Sequence, residues 1–307
     1  MASKKRIIIT GISGFIGSAL GRLLVSKGYE VIGLTRTLEE NRELKKSGIT
    51  LVKWNGTCPE PWFEYAEGAK AIINLAGANI AEARWTPARK SLIRNSRISA
   101  VHAIHDAVKL VNNKPGMIIQ ASAVGYYGYQ CHEKVDETGM KGDGFVADVC
   151  ADVEEEVLEI SESLVKIVRF GIILGTTGGA LRKIIKTSSF GIGGYPENGK
   201  NTVSWMHLND ALHAIRFIIE KQPKETVFNL TTPVPTTLKT LTCRTTSLKK
   251  RPLCLPVPKF FLSAIYGKTM LQETILADQH IHPGALTKVG FRFFYPEING
   301  ALKQLLT

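Results

Sequence analysis

The chain begins with a β-branched run that leads into a glycine-rich turn and then a helical pattern. The run RIIIT predicts a strand, because isoleucine fits a pleated, buried surface. After the turn GISGFIG, apolar residues recur along one helical face. A strand, a tight turn and a helix in this order begin a βαβ unit, whose two strands lie parallel in one sheet. This feature constrains the fold more than any other.

The same alternation continues through the first half of the chain. Further predicted strands are EVIGLTR, ITLVKW, AIINLAG, GMIIQASA, VKIVRFG and, in the second half, TVFNLTT. Helices are predicted over residues 86–111, from Phe145 to Leu164, over residues 207–221, and from about Glu297 onward. We therefore predict an α/β fold with a doubly wound parallel sheet covered on both faces. The stretch SSFGIGGYPENGKN is predicted to be largely loop.

The composition excludes several classes of protein. With 307 residues, 44% of them hydrophobic, the chain is long enough for a large core. No apolar run approaches the roughly 18 residues that a membrane span needs, so neither a span nor a membrane partner is predicted. The net charge of +12 is shared equally by the two halves, and its tight clusters lack interleaved aromatics. This distribution favours a basic soluble surface over a nucleic-acid site.

Cysteine spacing bears on the redox environment and on metals. The five cysteines are widely scattered and contain no C-x-x-C pair: Cys58, Cys131, Cys150, Cys243 and Cys254. This pattern is typical of reduced thiols in a cytosolic protein rather than of a disulfide or zinc framework. We therefore predict a cytoplasmic location and no metal site.

The three glycines of GISGFIG have distinct predicted roles. Gly11 permits the tight turn, Gly14 lets a pyrophosphate approach the backbone, and Gly17 allows the helix to pack closely on the sheet. The helix N-terminus offers unpaired N–H groups and a partial positive charge to the phosphates. A dinucleotide cofactor is therefore predicted. The residues predicted to hold it here are Gly11, Ser13, Gly14, Phe15, Ile16 and Gly17.

The end of the second strand distinguishes NAD from NADP. A carboxylate about 20 residues after the glycines would bind a ribose 2′-hydroxyl, but this strand ends in Thr35 and Arg36. Arginine holds a 2′-phosphate with forked hydrogen bonds, so NADP(H) is the predicted cofactor. Two alternatives stay open: Arg36 is a solvated charge at a strand end, or Glu39 or Glu40 reaches the ribose.

Several unusual motifs extend this pattern over nearly the whole chain. They are GISGFIG, NLAGANIAEARW, NSRI, ASAVGYYG, GDGFVADVC, RFGIILGTTGGAL, VSWMHLND and GFRFFYPEI. On these motifs the chain resembles the extended, epimerase-like branch of the short-chain dehydrogenase/reductase superfamily, and within it the atypical group of YfcH-type bacterial proteins. The resemblance implies NADPH binding by a Rossmann domain over residues 1–175, completed by a strand near residues 226–232. It also implies a smaller C-terminal α/β substrate domain over residues 176–307. A homodimer is common in the superfamily.

The resemblance assigns further residues to the cofactor. They are Leu75, Ala76 and Gly77 at the end of the fourth strand, Asn55 near the adenine, Arg97 on the long helix and, beside the nicotinamide, the stretch Phe170-Gly171-Ile172, of which Ile172 is the assigned cofactor residue. For Arg97 the alternative is an exposed helix charge.

The superfamily transfers protons with Ser, Tyr and Lys, and only the serine has a match in this chain. Ser122 stands at the C-terminal end of the fifth strand, at the edge where ligands bind. The Tyr and Lys positions hold Val146 and Cys150, and a register shifted by one residue does no better. Tyr126 and Tyr127, which follow Ser122, are the predicted substitutes, and we expect one of them to pack and the other to line the pocket.

Two hypotheses from different functional classes follow. The first is an atypical NADP-dependent oxidoreductase or epimerase-like enzyme acting on a small polar, nucleotide-sugar-like substrate. In it Ser122 holds the carbonyl oxygen, and Tyr126 or Tyr127 donates the proton. The second is a non-catalytic NADPH-binding module that reports redox state to a protein partner, and the missing Tyr and Lys motivate it.

Overall fold

The computed structural model describes residues 5–188, 192–197, 199–250 and 253–307. Its strands are β1 Arg6–Thr10, β2 Glu30–Thr35, β3 Thr50–Lys53, β4 Ala71–Asn74, β5 Met117–Ala123, β6 Gln130–Val135, β7 Leu164–Phe170, β8 Ile172–Leu174, β9 Ile192–Pro196, β10 Thr202–Val203, β11 Trp205–His207, β12 Val227–Leu230, β13 Thr236–Thr237, β14 Leu253–Val257 and β15 Asp278–Ile281. Its helices are α1 Phe15–Ser26, α2 Arg42–Lys46, α3 Pro87–Leu110, α4 Phe145–Leu158, α5 Gly179–Ser188, α6 Leu208–Lys221, α7 Leu238–Leu248, α8 Lys259–Tyr266, α9 Lys268–Met270, α10 Gly284–Lys288 and α11 Ile298–Leu306. Within these described ranges, no helix has both the length and the hydropathy that a bilayer crossing requires.

Seven strands form one sheet in the order β12-β7-β5-β4-β1-β2-β3. Every neighbouring pair in it runs parallel. The strand order turns back between β1 and β4, which is the switch point of a doubly wound sheet and the place where such sheets bind ligands. The predicted α/β fold with a doubly wound parallel sheet is confirmed, and the strand expected near residues 226–232 is its edge strand β12.

Successive residues of the central strands supply two hydrophobic layers. Ile7 and Ile9 of β1 pack in the layer that contains α1 and α6, whereas Ile8 packs in the layer that contains α3 and α4. Side chains of a strand point alternately to its two faces, and here both faces are covered. The apolar run in β1 is therefore unbroken, because neither of its faces is exposed to water.

Short strand pairs surround the sheet in the second half of the chain. β8 pairs with β11, β9 with β14, β10 with β13, and β15 with the earlier β6. A separate core lies among α5, α7, α11 and β11, formed by Leu181, Leu241, Leu302 and Trp205. The assignment of residues 176–307 to substrate binding stays a prediction.

The stretch predicted to be loop contains a strand. Residues 189–191 and 198 of that stretch lie outside the described residues, but Ile192–Pro196 form β9, which runs parallel to β14. A Cβ on Gly193 would lie 2.2 Å from Thr246 Oγ1, and one on Gly194 would lie 2.7 Å from Val257 Cγ2. These glycines permit close packing of a strand rather than a turn, so the loop prediction is wrong for this part.

The helix predicted from Phe145 to Leu164 ends earlier, at Leu158. The chain turns there because Ile160 is buried among the residues that pack beneath the sheet, and its N–H donates to Val157 O. Leu164 already belongs to β7. The last six residues of the predicted helix are therefore a turn and a strand start.

Two of the cysteines form a disulfide. Cys243 of α7 is bonded to Cys254 of β14, whereas Cys58, Cys131 and Cys150 are free thiols. The prediction of five reduced thiols is therefore wrong for this pair. The two lie 11 residues apart in sequence, and their Cα atoms come to 5.4 Å only because α7 packs against β14. Because of this disulfide, the cysteines no longer support a cytosolic location. The cytoplasmic location stays a prediction.

Candidate functional site

A cavity of about 320 Å³ lies at the carboxyl ends of β1, β4, β5 and β7. The glycine turn before α1 forms one wall, and residues of α3 and α4 form the opposite side. It is therefore at the switch point of the sheet, where a ligand is expected. The predicted site residues that line it are Gly11, Gly14, Phe15, Ile16, Gly17, Leu75, Ala76, Gly77, Arg97 and Ser122.

The glycine turn requires two of its glycines for steric reasons. Gly11 has a φ of +65°, and a Cβ there would lie 2.7 Å from Leu75 O. A Cβ on Gly17 would lie 2.3 Å from Gly11 O. Larger residues at these positions would push the first turn of α1 away from the sheet. The predicted roles of tight turn and close packing agree with this geometry.

The N-terminus of α1 is open to an anion. Gly14 is its N-cap, no side chain caps the helix, and no acidic residue lies in its first turn. A Cβ on Gly14 would meet only Gly11 O, at 3.2 Å, so the backbone is accessible there. Ser13 is exposed and does not line the cavity. First-turn N–H groups without partners, together with the helix dipole, favour a phosphate group at this point.

A buried polar network fixes the neighbouring strand ends. Thr10 Oγ1 donates to Asn74 Oδ1 at 2.6 Å and accepts from the N–H groups of Leu75 and Ala76, each at 3.1 Å. Asn74 Nδ2 donates to Gln120 Oε1 at 2.8 Å. All three polar side chains are buried, so each needs its partner. The network holds Leu75 and Ala76 against the cavity, and sequence reasoning did not identify it.

Arg97 projects from α3 toward the glycine turn and the end of β4. Its Nη1 donates to Ala78 O at 3.1 Å and to Ile93 O at 2.8 Å. A Cβ on Gly77 would lie 2.9 Å from Arg97 Cζ. None of the ion pairs formed by the described residues includes Arg97. Burial lowers the pKa of this guanidinium, yet arginine stays charged in proteins. A half-buried cation without a carboxylate partner fits an anionic ligand better than an exposed helix charge.

Ser122 lines the cavity, and its hydroxyl donates a hydrogen bond to a buried carboxylate. Ser122 Oγ lies 2.6 Å from Glu154 Oε1. Arg169 donates to the same carboxylate through Nε at 2.9 Å and Nη2 at 2.6 Å. The side chains of Arg169 and Glu154 are 5% and 7% exposed. Sequence reasoning missed this pair, although an arginine inside the buried strand VKIVRFG signals a buried counterion.

The two tyrosines after Ser122 do not line the cavity. The hydroxyl of Tyr127 accepts from Arg169 Nη1 at 2.7 Å and donates to Asn229 Oδ1 at 2.9 Å. Burial raises the pKa of Tyr127 to about 12. Tyr126 stacks on Arg169, with Cζ 3.5 Å from its ring centroid. The expectation that one of them lines the pocket is not met, because Arg169 engages both rings. Their role as proton donors stays a prediction, and this placement argues against it.

Val146 and Cys150, which stand at the superfamily's Tyr and Lys positions, both line the cavity. Burial raises the pKa of the Cys150 thiol, whose Sγ lies 3.7 Å from Ala123 O, so the thiol is neutral near pH 7. The N–H of Val146 donates to Glu273 Oε2 at 3.0 Å, so a distant carboxylate holds the start of α4. The cavity wall therefore lacks the phenol and ammonium groups that the superfamily uses at these two positions.

The residues predicted to hold the adenosine half lie outside the cavity. Thr35 is buried and donates to Thr37 O at 3.2 Å. Arg36 is exposed at the end of β2, and no hydrogen bond or ion pair is recorded for its side chain within the described ranges. Asn55 is exposed, and its Oδ1 accepts from the N–H and hydroxyl of Thr57, each at 3.0 Å. Arg36 is thus free to meet a phosphate, whereas the Asn55 side chain stabilises its own turn.

The β7–β8 boundary places one end of the predicted stretch Phe170-Gly171-Ile172 beside the cavity and the other end elsewhere. Phe170, the last residue of β7, lines the cavity. Ile172, predicted to border the nicotinamide, pairs with Trp205 across β8 and β11 and packs against the C-terminal core. Residues two apart share a face only on a continuous strand, whereas β8 is separate from the central sheet and pairs with β11, so residue 172 does not follow residue 170 to the cavity.

Comparison with protein families gives two matches. Residues 7–142 match the NAD dependent epimerase/dehydratase family, and residues 257–305 match a domain of unknown function (DUF1731). Epimerase family protein YfhF of Bacillus subtilis is 34% identical over 305 residues, covering 98% of this chain and 97% of that protein. Epimerase family protein Mb2239 of Mycobacterium bovis is 33% identical over 303 residues, with the same coverage of 98% and 97%.

Solved structures share the fold. The human epimerase family protein SDR39U1 (isoform 2), solved with NADPH, superimposes with a TM-score of 0.86 and 24% identity, covering 98% of this chain and 99% of that one. At this identity the likeness shows the fold. The family itself follows from sequence relatives above 30% identity that extend over nearly the full length. This chain therefore belongs to the epimerase family of short-chain dehydrogenase/reductase proteins.

Proposed function

We propose that this protein binds NADP(H) and transfers a hydride to or from a small polar, nucleotide-sugar-like carbonyl compound, with water, in place of the usual Tyr–Lys pair, giving the proton to the reduced oxygen or taking it from the alcohol. One observation carries the proposal. The uncapped N-terminus of α1 and the hydroxyl of Ser122 line the same cavity, at the switch point of a parallel sheet. A phosphate site and a polar group for a reacting oxygen are thus combined in one pocket.

The residues of the cavity suit a dinucleotide. The first-turn N–H groups after Gly14 face the position of a pyrophosphate, and Arg97 offers a charge that no carboxylate in the described ranges neutralises. Arg36, exposed at the end of β2, is available for a 2′-phosphate. The similar human protein was solved with NADPH, which supports the same choice of cofactor. A bound nicotinamide supplies or accepts the hydride.

Ser122 has a specific part in this proposal. Its own hydrogen is directed to Glu154, so the oxygen has lone pairs left for a hydrogen from the hydroxyl form of a substrate. Ser122 therefore orients the alcohol rather than donating to the carbonyl. Arg169 donates to both oxygens of Glu154, so this carboxylate accepts from Arg169 and from Ser122 alike.

Cofactor titration tests the first half of the proposal. We expect the fluorescence of NADPH to saturate on the purified protein, with NADH binding about tenfold or more weakly because it lacks the 2′-phosphate. Arg36→Ala is expected to remove most of this preference and leave NADH binding unchanged, because it removes the contact to the 2′-phosphate and adds no carboxylate for the ribose. Equal affinity for NADPH and NADH in the wild-type protein would overturn the assignment of NADP.

Turnover tests the second half. Protein that binds NADPH is incubated with a panel of carbonyl compounds and nucleotide sugars, and oxidation of NADPH is followed at its absorbance maximum. The proposal expects a substrate whose turnover falls about a hundredfold in Ser122→Ala, because the reacting alcohol loses the acceptor that orients it. Tight NADPH binding without any turnover would instead favour the non-catalytic redox-reporting module.

A further inference from the structure

Helix α8 exposes its apolar side. None of its residues is buried. Phe260, Phe261 and Ile265 are 66%, 54% and 62% exposed, and Ala264 beside them is exposed as well. The half-buried residues of the helix are Leu262, Ser263 and Tyr266. Positions 260, 261, 264 and 265 share one face of a helix. The apolar face of α8 is therefore exposed, whereas the apolar face of a surface helix usually packs against the core.

The strand before α8 continues this property. Leu253 and Leu255 of β14 are 51% and 47% exposed, and they lie two residues apart, on the same face of the strand. Scattered exposed leucines are normal on protein surfaces, but two aromatic rings and three aliphatic side chains within 13 consecutive residues are not. We call these five residues the apolar segment: Leu253, Leu255, Phe260, Phe261 and Ile265.

The stretch of sequence that contains the apolar segment carries charge of one sign. Residues 226–272 contain no aspartate or glutamate, whereas they contain seven basic residues: Lys239, Arg244, Lys249, Lys250, Arg251, Lys259 and Lys268. The acid nearest in space to Lys259 is Glu197, at 3.8 Å, from outside this stretch. A surface that combines exposed phenylalanines with flanking lysines calls for a complementary surface that is apolar and anionic.

This charge decides among the candidate occupants. A second copy of the chain would meet the segment through a twofold axis, which places the same basic residues on both sides of the contact. That arrangement is repulsive. An anionic lipid bilayer is complementary to the segment. Its headgroup–acyl boundary can bury the phenylalanine rings, and its lipid phosphates can pair with the lysine ammonium groups. We infer that β14 and α8 dock this protein on the surface of an anionic membrane.

The docking element is joined to the cavity by a short connection. Gly267 follows the last residue of α8, and a Cβ there would lie 3.7 Å from Arg84 Nε in the loop before α3. Six residues later, Glu273 accepts from the N–H of Val146, a residue that lines the cavity. Docking through α8 would thus hold the cavity wall close to the bilayer surface. The inference itself rests on exposure and charge, and it does not depend on the proposed function.

Vesicle sedimentation tests the inference. Full-length protein is mixed with vesicles of phosphatidylcholine alone or with about 30% phosphatidylglycerol. We expect the protein to sediment with the anionic vesicles, at least about tenfold more tightly than with the neutral ones, and to be released at high ionic strength. Wild-type protein that stays in the supernatant with anionic vesicles overturns the inference.

Two variants and their controls separate the apolar and the charged contributions. The triple variant Phe260→Ser/Ile265→Ser/Phe261→Ser is expected to lose sedimentation. The matched control Leu110→Ser/Met140→Ser/Leu158→Ser removes three other apolar side chains, which are 55%, 90% and 51% exposed. This control is expected to sediment with anionic vesicles as the wild-type protein does. Lys259→Gln/Lys268→Gln should weaken binding about tenfold, whereas Lys27→Gln/Lys45→Gln should not.

Two results would contradict membrane docking even if wild-type protein sediments. One is an equal loss in the triple variant and its control, which would indicate non-specific adsorption. The other is a wild-type dimer in analytical ultracentrifugation that the triple variant dissociates, because a second copy would then cover the segment. Circular dichroism of each variant establishes that it is folded before it is compared.

Discussion

Ser122 Oγ and Glu154 Oε1 lie 2.6 Å apart, so the hydroxyl at the substrate edge of the sheet is bonded to a buried ion pair rather than to a tyrosine. Arg169, the partner of Glu154, also donates to the hydroxyl of Tyr127. The serine and the tyrosine that could have formed a proton-transfer pair are thus held apart by one charge pair.

Glu154→Gln is expected to destabilise the protein by about 3 kcal/mol or more, because it leaves the buried guanidinium of Arg169 without its counterion. Urea denaturation followed by circular dichroism measures the free energy of unfolding. Glu155→Gln, on the exposed side of the same helix, is the control and should change it by less than about 0.5 kcal/mol. Equal effects of the two variants would show that the ion pair contributes nothing to stability.

Tyr127 is expected to ionise later than an ordinary tyrosine, since burial raises its pKa from 10.0 to about 12. A phenol with a higher pKa in the folded than in the unfolded state binds its proton more tightly when folded. The raised pKa of Tyr127 therefore has no effect on the free energy of unfolding well below pH 10. It lowers that free energy as the pH rises from 10 toward 12. Absorbance at the phenolate band during alkaline titration measures the ionisation. Tyr127→Phe should remove the phenol ionisation that occurs at the highest pH. It should leave the ionisation of Tyr29, whose pKa is also raised by burial.

Gly17→Ala is expected to lower the affinity for NADPH at least about tenfold, because the added Cβ would lie 2.3 Å from Gly11 O and displace the start of α1. NADPH fluorescence titration measures it. Gly300→Ala, in α11, is the control, since nothing lies within 4 Å of its Cβ. Normal affinity in Gly17→Ala would show that the turn does not hold the cofactor.

Removing the disulfide with Cys243→Ser/Cys254→Ser is expected to cost about 3 kcal/mol, from the unfolded-state entropy of a loop of this size. The free energy of unfolding of wild-type protein should fall by the same amount when a reductant is added, whereas that of the double variant should not change. An unchanged wild-type value in reductant would mean that the bond makes no contribution under those conditions.

Local sequence was sufficient for much of the site. The strand, glycine turn and helix over residues 6–26 are specified by short-range periodicity and by backbone constraints at Gly11 and Gly17, and the structure shows both constraints. Ser122 could be placed at the cavity because a strand end in a parallel sheet has a fixed position relative to the switch point. The absence of Tyr and Lys at positions 146 and 150 could be read directly from the spacing.

Other features depended on contacts between distant residues. The partner of Ser122 lies 32 residues away on a different element, and the engagement of Tyr127 by Asn229 spans 102 residues. The glycines at 193 and 194 suggested a loop, yet they serve close packing against side chains of α7 and β14. No local pattern encodes such pairings.

The sequence by itself determined the doubly wound sheet, the glycine cradle and the missing Tyr–Lys pair, because each depends on residue spacing within one or two neighbouring elements. Only the tertiary structure decided that Glu154 and Arg169 hold Ser122, that Cys243 meets Cys254, and that the apolar side of α8 faces outward. The physical reason is that hydrogen bonding, disulfide formation and burial depend on which surfaces pack together, and packing joins parts of the chain that are far apart in sequence.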